Sequence, residues 1–333
     1  MKISILGAGA WGTALAINLA NRHEVTLWAR DAVQVATMHA RRCNQNYLPD
    51  FPFPPTLQLT SDFHAARISA ELIIIAVPIA ALRDTLQHIA KVTTAVPVVW
   101  VCKGFEANTA KLPHQVVAEI LPKAFLKNYF GAVLSGPSFA QEVASGLPTA
   151  LTLASSDGAF AKKIAGLLHH TTLRIYSSTD VIGVEVGGAV KNVMAIAAGI
   201  AEGLGLGHNA RAALITRGLA EMTRLGVMLG GRAETLGGLS GAGDLILTCT
   251  GNLSRNRQVG ILLAQNRALP DILRELGHVA EGVYTVREVH QLAQRLHVDM
   301  PICAAVYRVL YEQIPASQAL TELLNRAANS EFE

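Results

Sequence analysis

The chain has 333 residues, of which 50% are hydrophobic and 16% are charged, and its formal net charge is +3. Domains usually hold ~100–200 residues, so this length predicts two of them. The charged fraction lies well below the typical ~25%, which indicates a well-buried globular protein and is consistent with a homodimer that covers apolar surface. The small, dispersed net charge argues against a nucleic-acid partner.

The apolar stretches do not have the form of membrane segments. Residues 3–20 are apolar, but glycines recur there in a fixed pattern that a secretory signal has no use for. No stretch offers ~18 uninterrupted apolar residues, and the nearest, 193–207, is broken by Glu202 and several glycines. The four cysteines are far apart and show no metal-ligand spacing, which predicts buried, reduced thiols and no metal. We therefore expect a cytoplasmic protein without membrane insertion.

Strand and helix signals alternate through the first half of the chain. Short apolar runs predict buried strands at 2–6, 24–29, 71–77, 96–102, 131–135 and 149–154, with 172–176 as one further strand. Helical spacing occurs at 11–21, 31–42, 79–90 and 110–120, and four prolines make 49–55 a loop. This alternation predicts an α/β fold, a doubly wound, Rossmann-like, mostly parallel sheet with helices on both faces.

The pattern changes near Thr179–Asp180. From there the apolar spacing is helical, and it predicts helices at 181–203, 209–230, 254–265, 271–276, 282–296 and 302–314. We therefore predict a sheet domain at 1–179 and an all-α domain at 180–333. The polar tail after Ala327 is expected to fray.

A glycine pattern near the N-terminus indicates the ligand of the sheet domain. Gly7, Gly9 and Gly12 match GxGxxG, and the pattern lies between a predicted strand and a predicted helix. The first glycine permits a tight turn, the second lets the backbone approach a pyrophosphate, and the third lets helix and strand pack closely. The helix N-terminus then offers N–H groups to the phosphates. This context predicts a dinucleotide, NAD or NADP; a purely structural glycine turn is the alternative.

The end of the second predicted strand selects between the two cofactors. An acidic side chain there binds the ribose hydroxyls of NAD, whereas an arginine accommodates the 2′-phosphate of NADP. Arg30 holds this position and Asp31 follows it. We therefore expect NADP to be preferred over NAD, with an ordinary solvated arginine as the alternative.

Two lysines stand where chemistry is expected. Lys103 follows a buried strand, at the sheet edge where ligands of such folds bind, although a lysine facing water is an equal alternative. Lys191 lies among small and apolar residues on a predicted helix, and its alternative is snorkelling to water. Burial and a nearby cation would lower the pKa of Lys191, which would suit a general base in alcohol oxidation.

A third segment suits a phosphate. Asp244 lies in a predicted glycine-rich turn, and Ser254 is a plausible N-cap for a helix that begins near Arg255. A hydroxyl, a guanidinium, the Asn256 amide and free backbone N–H groups together can bind a phosphate, whereas plain helix capping is the alternative.

Taken together, these segments resemble the bacterial-type NAD(P)-dependent glycerol-3-phosphate dehydrogenase family. The matching motifs are GAGAWGTALA at 7–16, KG at 103–104, SGPSFAQEV at 135–143, GGAVKNVMAIAAGIAEG at 187–203, LSGAGDLILTCT at 239–250, SRNRQVG at 254–260 and AEG at 280–282. The resemblance runs from Met1 to about residue 315. Ala10 departs from it, because many relatives carry serine there.

The resemblance implies an oxidoreductase that interconverts sn-glycerol 3-phosphate and dihydroxyacetone phosphate with NAD(P)(H), supplying glycerol 3-phosphate for glycerophospholipid synthesis. Lys191 looks like the general base. The implied substrate contacts are Lys103, Gly136, Ser138, Lys191, Asp244, Ser254, Arg255 and Asn256. The implied cofactor contacts are Gly7, Gly9, Ala10, Trp11, Gly12, Arg30, Lys103, Ala140, Arg255, Val279 and Glu281.

Two other functions share part of this pattern. A 3-hydroxyacid or 6-phosphogluconate-type dehydrogenase would share the sheet, the helical domain and a helix lysine, but the cluster at 254–256 and the turn before Asp244 argue against it. A non-catalytic NADP-binding sensor would need the nucleotide site but not Lys191, Lys103 and Asp244 together.

Overall fold

A computed structural model describes residues 1–91, 96–121, 131–277 and 280–326. The chain divides into two compact units. The sheet unit comprises Met1–Glu106 and Lys111–Glu185, and the helical unit comprises Ala107–Ala110 and Val186–Glu333. The tail after Ala327, predicted to fray, falls outside the described residues.

The sheet unit is built on one sheet with the strand order β3-β2-β1-β4-β5-β6-β7-β8. The strands are β1 Lys2–Leu6, β2 Glu24–Trp28, β3 Gln58–Thr60, β4 Leu72–Ile75, β5 Val98–Trp100, β6 Gly131–Ser135, β7 Thr149–Ala154 and β8 Leu173–Ser178. All neighbours run parallel except β6 and β7, which are antiparallel. Every residue of β4 is 0% exposed, as expected for a strand covered on both faces. The predicted doubly wound, mostly parallel sheet is confirmed.

Helices follow most strands of the sheet unit. They are α1 Ala10–Leu19, α2 Ala32–Arg41, α3 Phe63–Ile68, α4 Leu82–Ala90, α5 Pro113–Ile120, α6 Ala140–Ala144 and α7 Gly158–Leu168, with a 3₁₀ turn at Ile79–Ala81. Sequence patterns missed β3, α3, α6 and α7. The first three are too short to show a period, but α7 carries a capping signal, since Asp157 Oδ1 accepts hydrogen bonds from the N–H groups of Ala159 and Phe160.

The helical unit consists of helices alone within the described residues. They are α8 Val181–Gly203, α9 Gly207–Met228, α10 Ala233–Leu236, α11 Asp244–Thr250, α12 Arg255–Ala264, α13 Leu269–Leu276, α14 Glu281–Leu296, α15 Pro301–Tyr311 and α16 Ala316–Leu324, with a π-helical turn at Leu239–Gly243. Helix α8 begins in the sheet unit and continues into the helical unit. The domain boundary predicted at Thr179–Asp180 therefore stays a prediction.

Helix α8 forms the centre of the helical unit. It is long and apolar enough to cross a membrane, but 89% of its most apolar stretch is buried inside the protein, as is typical of a core helix. It packs backbone to backbone on α12. A Cβ built on Gly199 would overlap the carbonyl oxygen of Arg257, and one built on Gly260 would overlap that of Ile196. The small residues around Lys191 thus belong to a helix that is packed unusually closely.

The cysteines are buried thiols with one exception. Cys102, Cys249 and Cys303 are buried, whereas Cys43 is partly exposed, so the prediction of burial is wrong for Cys43. The described residues include all four cysteines, and none of them forms a disulfide. Burial raises the pKa of the Cys249 thiol to about 12, which keeps it protonated near neutral pH.

A buried carboxyl group caps the N-terminus of α15 in the helical unit. Glu221 of α9 is 1% exposed, and it accepts hydrogen bonds from the backbone N–H groups of Ile302 (2.7 Å) and Cys303 (3.1 Å). Pro301 has no N–H, so these are the first free donors of α15. Burial raises the pKa of Glu221 to about 7, although the two backbone hydrogen bonds oppose the shift.

This raised pKa predicts a stability that depends on pH. Between the unfolded pKa of 4.5 and the folded pKa of about 7, the folded chain binds more protons at Glu221 than the unfolded chain, so stability falls as pH rises. Glu221→Gln removes this titration. From pH 5 to pH 8.5, the free energy of unfolding in urea should shift in favour of the Gln variant by about 3 kcal/mol relative to wild type. A difference that does not change with pH would contradict the assignment.

Candidate active site

The glycine-rich turn between β1 and α1 is shaped by close backbone contacts. Gly7 has φ of +121°, a region that favours glycine, and its N–H donates to the carbonyl oxygen of Trp28 (3.0 Å). A Cβ on Gly7 would lie 2.6 Å from the carbonyl oxygen of Ala76, and a Cβ on Gly12 would overlap the carbonyl oxygen of Gly7. Both glycines therefore have the roles of tight turn and close packing that the sequence predicts.

The middle glycine faces open space. Gly9 is the N-cap of α1 and makes no side-chain capping bond, and a Cβ built on it would meet nothing within 4 Å. Ala10 and Trp11 follow as the first residues of the helix, and both are partly exposed. A helix N-terminus with uncapped N–H groups and empty space over a glycine fits the pyrophosphate of a dinucleotide.

The buried side-chain amide of Asn44 is hydrogen-bonded to the glycine-rich turn. Asn44 is 1% exposed, and its Nδ2 donates to the carbonyl oxygen of Ala8 (2.9 Å) and to Oγ1 of Thr13 (2.8 Å). Gln34 Nε2 also donates to the Ala8 carbonyl oxygen (3.1 Å). Sequence reasoning missed both residues, because a single amide in a loop carries no pattern.

Arg30 and Asp31, the two residues predicted to select the cofactor, have different surroundings after β2. Asp31 is the N-cap of α2, and its Oδ1 accepts the N–H of Val33 (2.8 Å). Arg30 is exposed and follows Ala29, whose N–H donates to the carbonyl oxygen of Thr60 (3.1 Å). The Asp31 carboxylate thus caps the start of α2, and Arg30 is exposed beside it.

The structure brings Lys103 together with the predicted loop at 136–138. Lys103 follows β5 and is half-buried, and its Nζ donates to the carbonyl oxygen of Gly136 (3.5 Å). Ser138 Oγ donates to the same oxygen (3.0 Å). Gly136 has φ of +139° and lies against Leu151 of β7, and Ala140 is the first residue of α6. The role of Lys103 therefore stays a prediction, and the structure places its ammonium beside Gly136 and Ser138.

Lys191 lies in the middle of α8 and is 7% exposed. Its ammonium forms an ion pair with Asp244, which is 1% exposed, and Nζ donates to Thr248 Oγ1 (3.1 Å). The snorkelling alternative is therefore wrong for Lys191. Within the helical unit a carboxylate, rather than the expected cation, lies against the ammonium, and it stabilises the charged form. Such a pair can hold a proton in a defined place and deliver it to a bound oxygen.

Asp244 reaches Lys191 through an unusual helix start. The turn predicted around it is the π-helical turn Leu239–Gly243, and Asp244 is the first residue of α11. A Cβ on Gly187 would overlap the carbonyl oxygen of Ser240, so glycine there lets this turn lie directly on α8. Thr248 Oγ1 donates to the backbone carbonyl oxygen of Asp244 (2.6 Å) and accepts from Lys191. Its spacing of one helical turn from Asp244 was a signal that sequence analysis did not use.

The start of α12 confirms the predicted cap. Ser254 Oγ accepts the N–H of Arg257 (3.3 Å), and Arg255 is exposed. Arg257 is 7% exposed and donates twice to the carboxylate of Glu202 (2.5 and 2.8 Å). Within this helix end, the guanidinium open to an anion is therefore that of Arg255.

Asn256 joins three helices. Its Nδ2 donates to Oδ1 of Asn192 (3.0 Å) on α8, and its Oδ1 accepts the N–H of Gly282 (3.1 Å) on α14. Glu281, the first residue of α14, is partly exposed, and Val279 lies outside the described residues. The predicted residues therefore fall into two groups, one in each unit.

Two family models match the chain. The model described as the N-terminus of NAD-dependent glycerol-3-phosphate dehydrogenase matches residues 2–161, and the model of the C-terminus of that enzyme matches residues 180–321.

Similar proteins cover the whole chain. It is 59% identical over 333 residues to a glycerol-3-phosphate dehydrogenase [NAD(P)+] of Nitrosomonas eutropha, and 60% identical over 332 residues to one of Thiobacillus denitrificans, each match covering 100% of both chains. A crystal structure of glycerol-3-phosphate dehydrogenase from Coxiella burnetii is similar with a TM-score of 0.92 and 44% identity, covering 98% of this chain and 99% of that one.

The open space over Gly9 predicts a variant that separates binding from folding. In Gly9→Ala the new methyl group meets no protein atom within 4 Å, so the melting temperature should stay near that of wild type. The methyl group would instead occupy the path of the pyrophosphate, and the Kd for NADPH should rise by about ten-fold or more, measured by nucleotide fluorescence.

The matched control is Gly166→Ala in α7, where a Cβ also meets nothing within 4 Å. It should leave the Kd unchanged. Wild-type affinity in Gly9→Ala would contradict a pyrophosphate position over this glycine.

Proposed function

The chain belongs to the NAD-dependent glycerol-3-phosphate dehydrogenase family, and from this premise we propose the residues that carry its reaction. The reaction interconverts sn-glycerol 3-phosphate and dihydroxyacetone phosphate with NAD(P)(H). The observation that carries the proposal is the buried pair of Lys191 and Asp244, because a buried lysine with one carboxylate partner is a poised proton donor and acceptor.

The sheet unit supplies the cofactor residues. The glycine turn and the N-terminus of α1 bind the pyrophosphate, with Gly7, Gly9, Ala10, Trp11 and Gly12 as the contacts. Arg30 binds the 2′-phosphate, which makes NADP the preferred cofactor and NAD the second. Lys103 and Ala140 complete this set, with Arg255, Val279 and Glu281 from the helical unit. When bound, the nicotinamide supplies or accepts the hydride at its C4 position.

Lys191 handles the proton. In the direction of reduction, its ammonium donates a proton to the C2 carbonyl oxygen of dihydroxyacetone phosphate as that oxygen gains charge. In the direction of oxidation, the neutral amine takes the proton of the C2 hydroxyl. Asp244 stabilises the ammonium. Thr248 Oγ1 accepts from that ammonium and donates to the backbone carbonyl oxygen of Asp244, which holds Lys191 at the start of α11.

The start of α12 binds the substrate phosphate. The exposed Arg255 guanidinium, the Ser254 hydroxyl and the positive end of the helix dipole are all suited to an anion. The Asn256 amide holds α8 and α14 beside it, so its contribution is to position this end as well as to contact substrate. Lys103, Gly136 and Ser138 contact the substrate from the sheet unit.

The setting of the reaction is also part of the proposal. The product glycerol 3-phosphate is supplied to glycerophospholipid synthesis in the cytoplasm, where the four cysteines stay reduced.

The enzyme acts as a homodimer. In support, the buried residues of α9 begin only at Gly218, so its Ala-rich first half at 207–217 packs little against its own chain.

Removal of the Lys191 amine tests the proton-transfer role. Lys191→Ala should lower kcat for NADPH-dependent reduction of dihydroxyacetone phosphate by about 100-fold or more, because general acid–base catalysis typically contributes 10²–10⁴-fold. The rate is followed by loss of the reduced-nicotinamide absorbance. The control is Lys162→Ala, an exposed lysine of α7, which should keep wild-type kcat. Near-wild-type turnover in Lys191→Ala, with normal NADPH binding, would show that another group moves the proton.

Arg30 is tested by the ratio of the two cofactors. Arg30→Ala should lower kcat/KM for NADPH by about ten-fold and leave NADH within about two-fold, because only NADPH carries the 2′-phosphate. Arg41→Ala, at another exposed arginine in the last turn of α2, should leave the ratio unchanged. An unchanged NADPH-to-NADH ratio in Arg30→Ala would remove Arg30 as the selector.

A further inference from the structure

One buried carboxylate of the sheet unit has no part in the reaction described above. Glu185 lies on the first turns of α8, its side chain is 1% exposed, and it accepts three hydrogen bonds. The donors are Trp100 Nε1 (2.7 Å), the backbone N–H of His114 (2.9 Å) and His114 Nδ1 (2.5 Å). A carboxylate that satisfies three donors in the interior holds their positions tightly, since each would lose a partner if it moved.

The partners of Glu185 bracket the segment that carries Lys103. Trp100 is the last residue of β5, just before Lys103, and His114 lies in the first turn of α5, where that segment ends. The residues that flank the loop at 101–112 are therefore both hydrogen-bonded to the same carboxylate. The loop is also closed partway along, because the N–H of Glu106 donates to the carbonyl oxygen of Lys111 (2.8 Å).

The carboxylate is itself part of the helix that carries Lys191. Helix α8 runs without interruption from Val181 to Gly203. Asp180 caps the start of this helix, with Oδ1 accepting the N–H of Gly183 (2.9 Å). The carboxylate therefore lies on a helix start that its own cap holds in place.

We propose that Glu185 is a positioning residue for the reaction, because it ties both ends of the Lys103 loop to one buried carboxylate. This inference rests on the reaction and on the role of Lys103 proposed above. Burial raises the pKa of Glu185, and its hydrogen bonds to His114 and Trp100 oppose that shift.

The test compares Glu185→Met with Glu185→Gln. Methionine fills the volume but accepts none of the three hydrogen bonds. Glutamine keeps Oε1 for Trp100 and the His114 N–H, and its amide can donate to His114 Nδ1 in the other imidazole tautomer. Since a misplacement of ~1 Å can cost ~10²-fold, Glu185→Met should lower kcat by about ten-fold or more. Glutamine should restore kcat to within about three-fold of wild type.

The effect should fall on kcat and on the KM for dihydroxyacetone phosphate, because Lys103 is proposed to contact the substrate. The glycine turn proposed to bind the pyrophosphate is not hydrogen-bonded to Glu185, so the Kd for NADPH should stay within about three-fold of wild type. A merely structural role would lower the active fraction and the melting temperature without this pattern.

Glu221→Met is the matched control, since it also removes a buried carboxylate that accepts backbone N–H groups, but from the end of α15. It should lower the melting temperature and keep wild-type kcat. Trp100→Phe removes a single donor and should lower kcat by about three-fold with the fold intact; it decides the matter if Glu185→Met does not fold.

Three results would overturn the inference. The first is wild-type kcat in folded Glu185→Met or, if that variant does not fold, in Trp100→Phe. The second is a loss of kcat in Glu221→Met as large as in Glu185→Met. The third is a Glu185→Gln variant as slow as Glu185→Met. Lys191→Ala, assayed alongside, separates a failure of the role of Glu185 from a failure of the proposed function. If Lys191→Ala is slow while Glu185→Met is fully active, only the role of Glu185 fails, whereas a fully active Lys191→Ala enzyme would overturn both.

Discussion

The buried ion pair of Lys191 and Asp244 is the interaction on which the helical unit depends. Two charges removed from water carry a desolvation cost that only good geometry and further hydrogen bonds offset. Thr248 supplies such a hydrogen bond, and the missing side chain of Gly187 lets the π-helical turn place Asp244 directly on α8. Gly187 is thus as necessary to the ion pair as the charged residues, because the missing Cβ sets the distance at which the pair can form.

Much of the fold could be predicted from the sequence because its signals are local. The strands at 131–135 and 149–154 and helix 181–203 lie where apolar periodicity predicts them, and the glycine pattern has the contacts that its spacing requires. Predicted strands such as 71–77 extended too far, since an apolar run continues past the last ladder hydrogen bond. Elements as short as β3 carry too few residues for a period to be visible.

The parts of the candidate site that sequence reasoning missed depend on partners far along the chain. Asn44 is an ordinary loop amide until the fold places it under the carbonyl oxygen of Ala8. Glu185 reads as an ordinary polar position of a helix, and only the fold brings Trp100 and His114 to it. In contrast, Ser254 was recognised as a cap because its partner lies within the next helical turn. Local hydrogen bonds leave a spacing in the sequence, and long-range ones leave none.

The contact of Gly199 with Gly260 has a consequence for how the helical unit can move. Where two helices touch through their backbones, no side-chain rotamer can absorb a sliding motion, so α8 and α12 resist sliding past one another. The residue proposed to transfer the proton and the helix end proposed to bind the phosphate then keep a constant separation throughout a turnover. The helical unit would then select substrates by the distance between the phosphate and the reacting carbon. In a phosphorylated alcohol one carbon longer, the hydroxyl-bearing carbon would not lie beside Lys191.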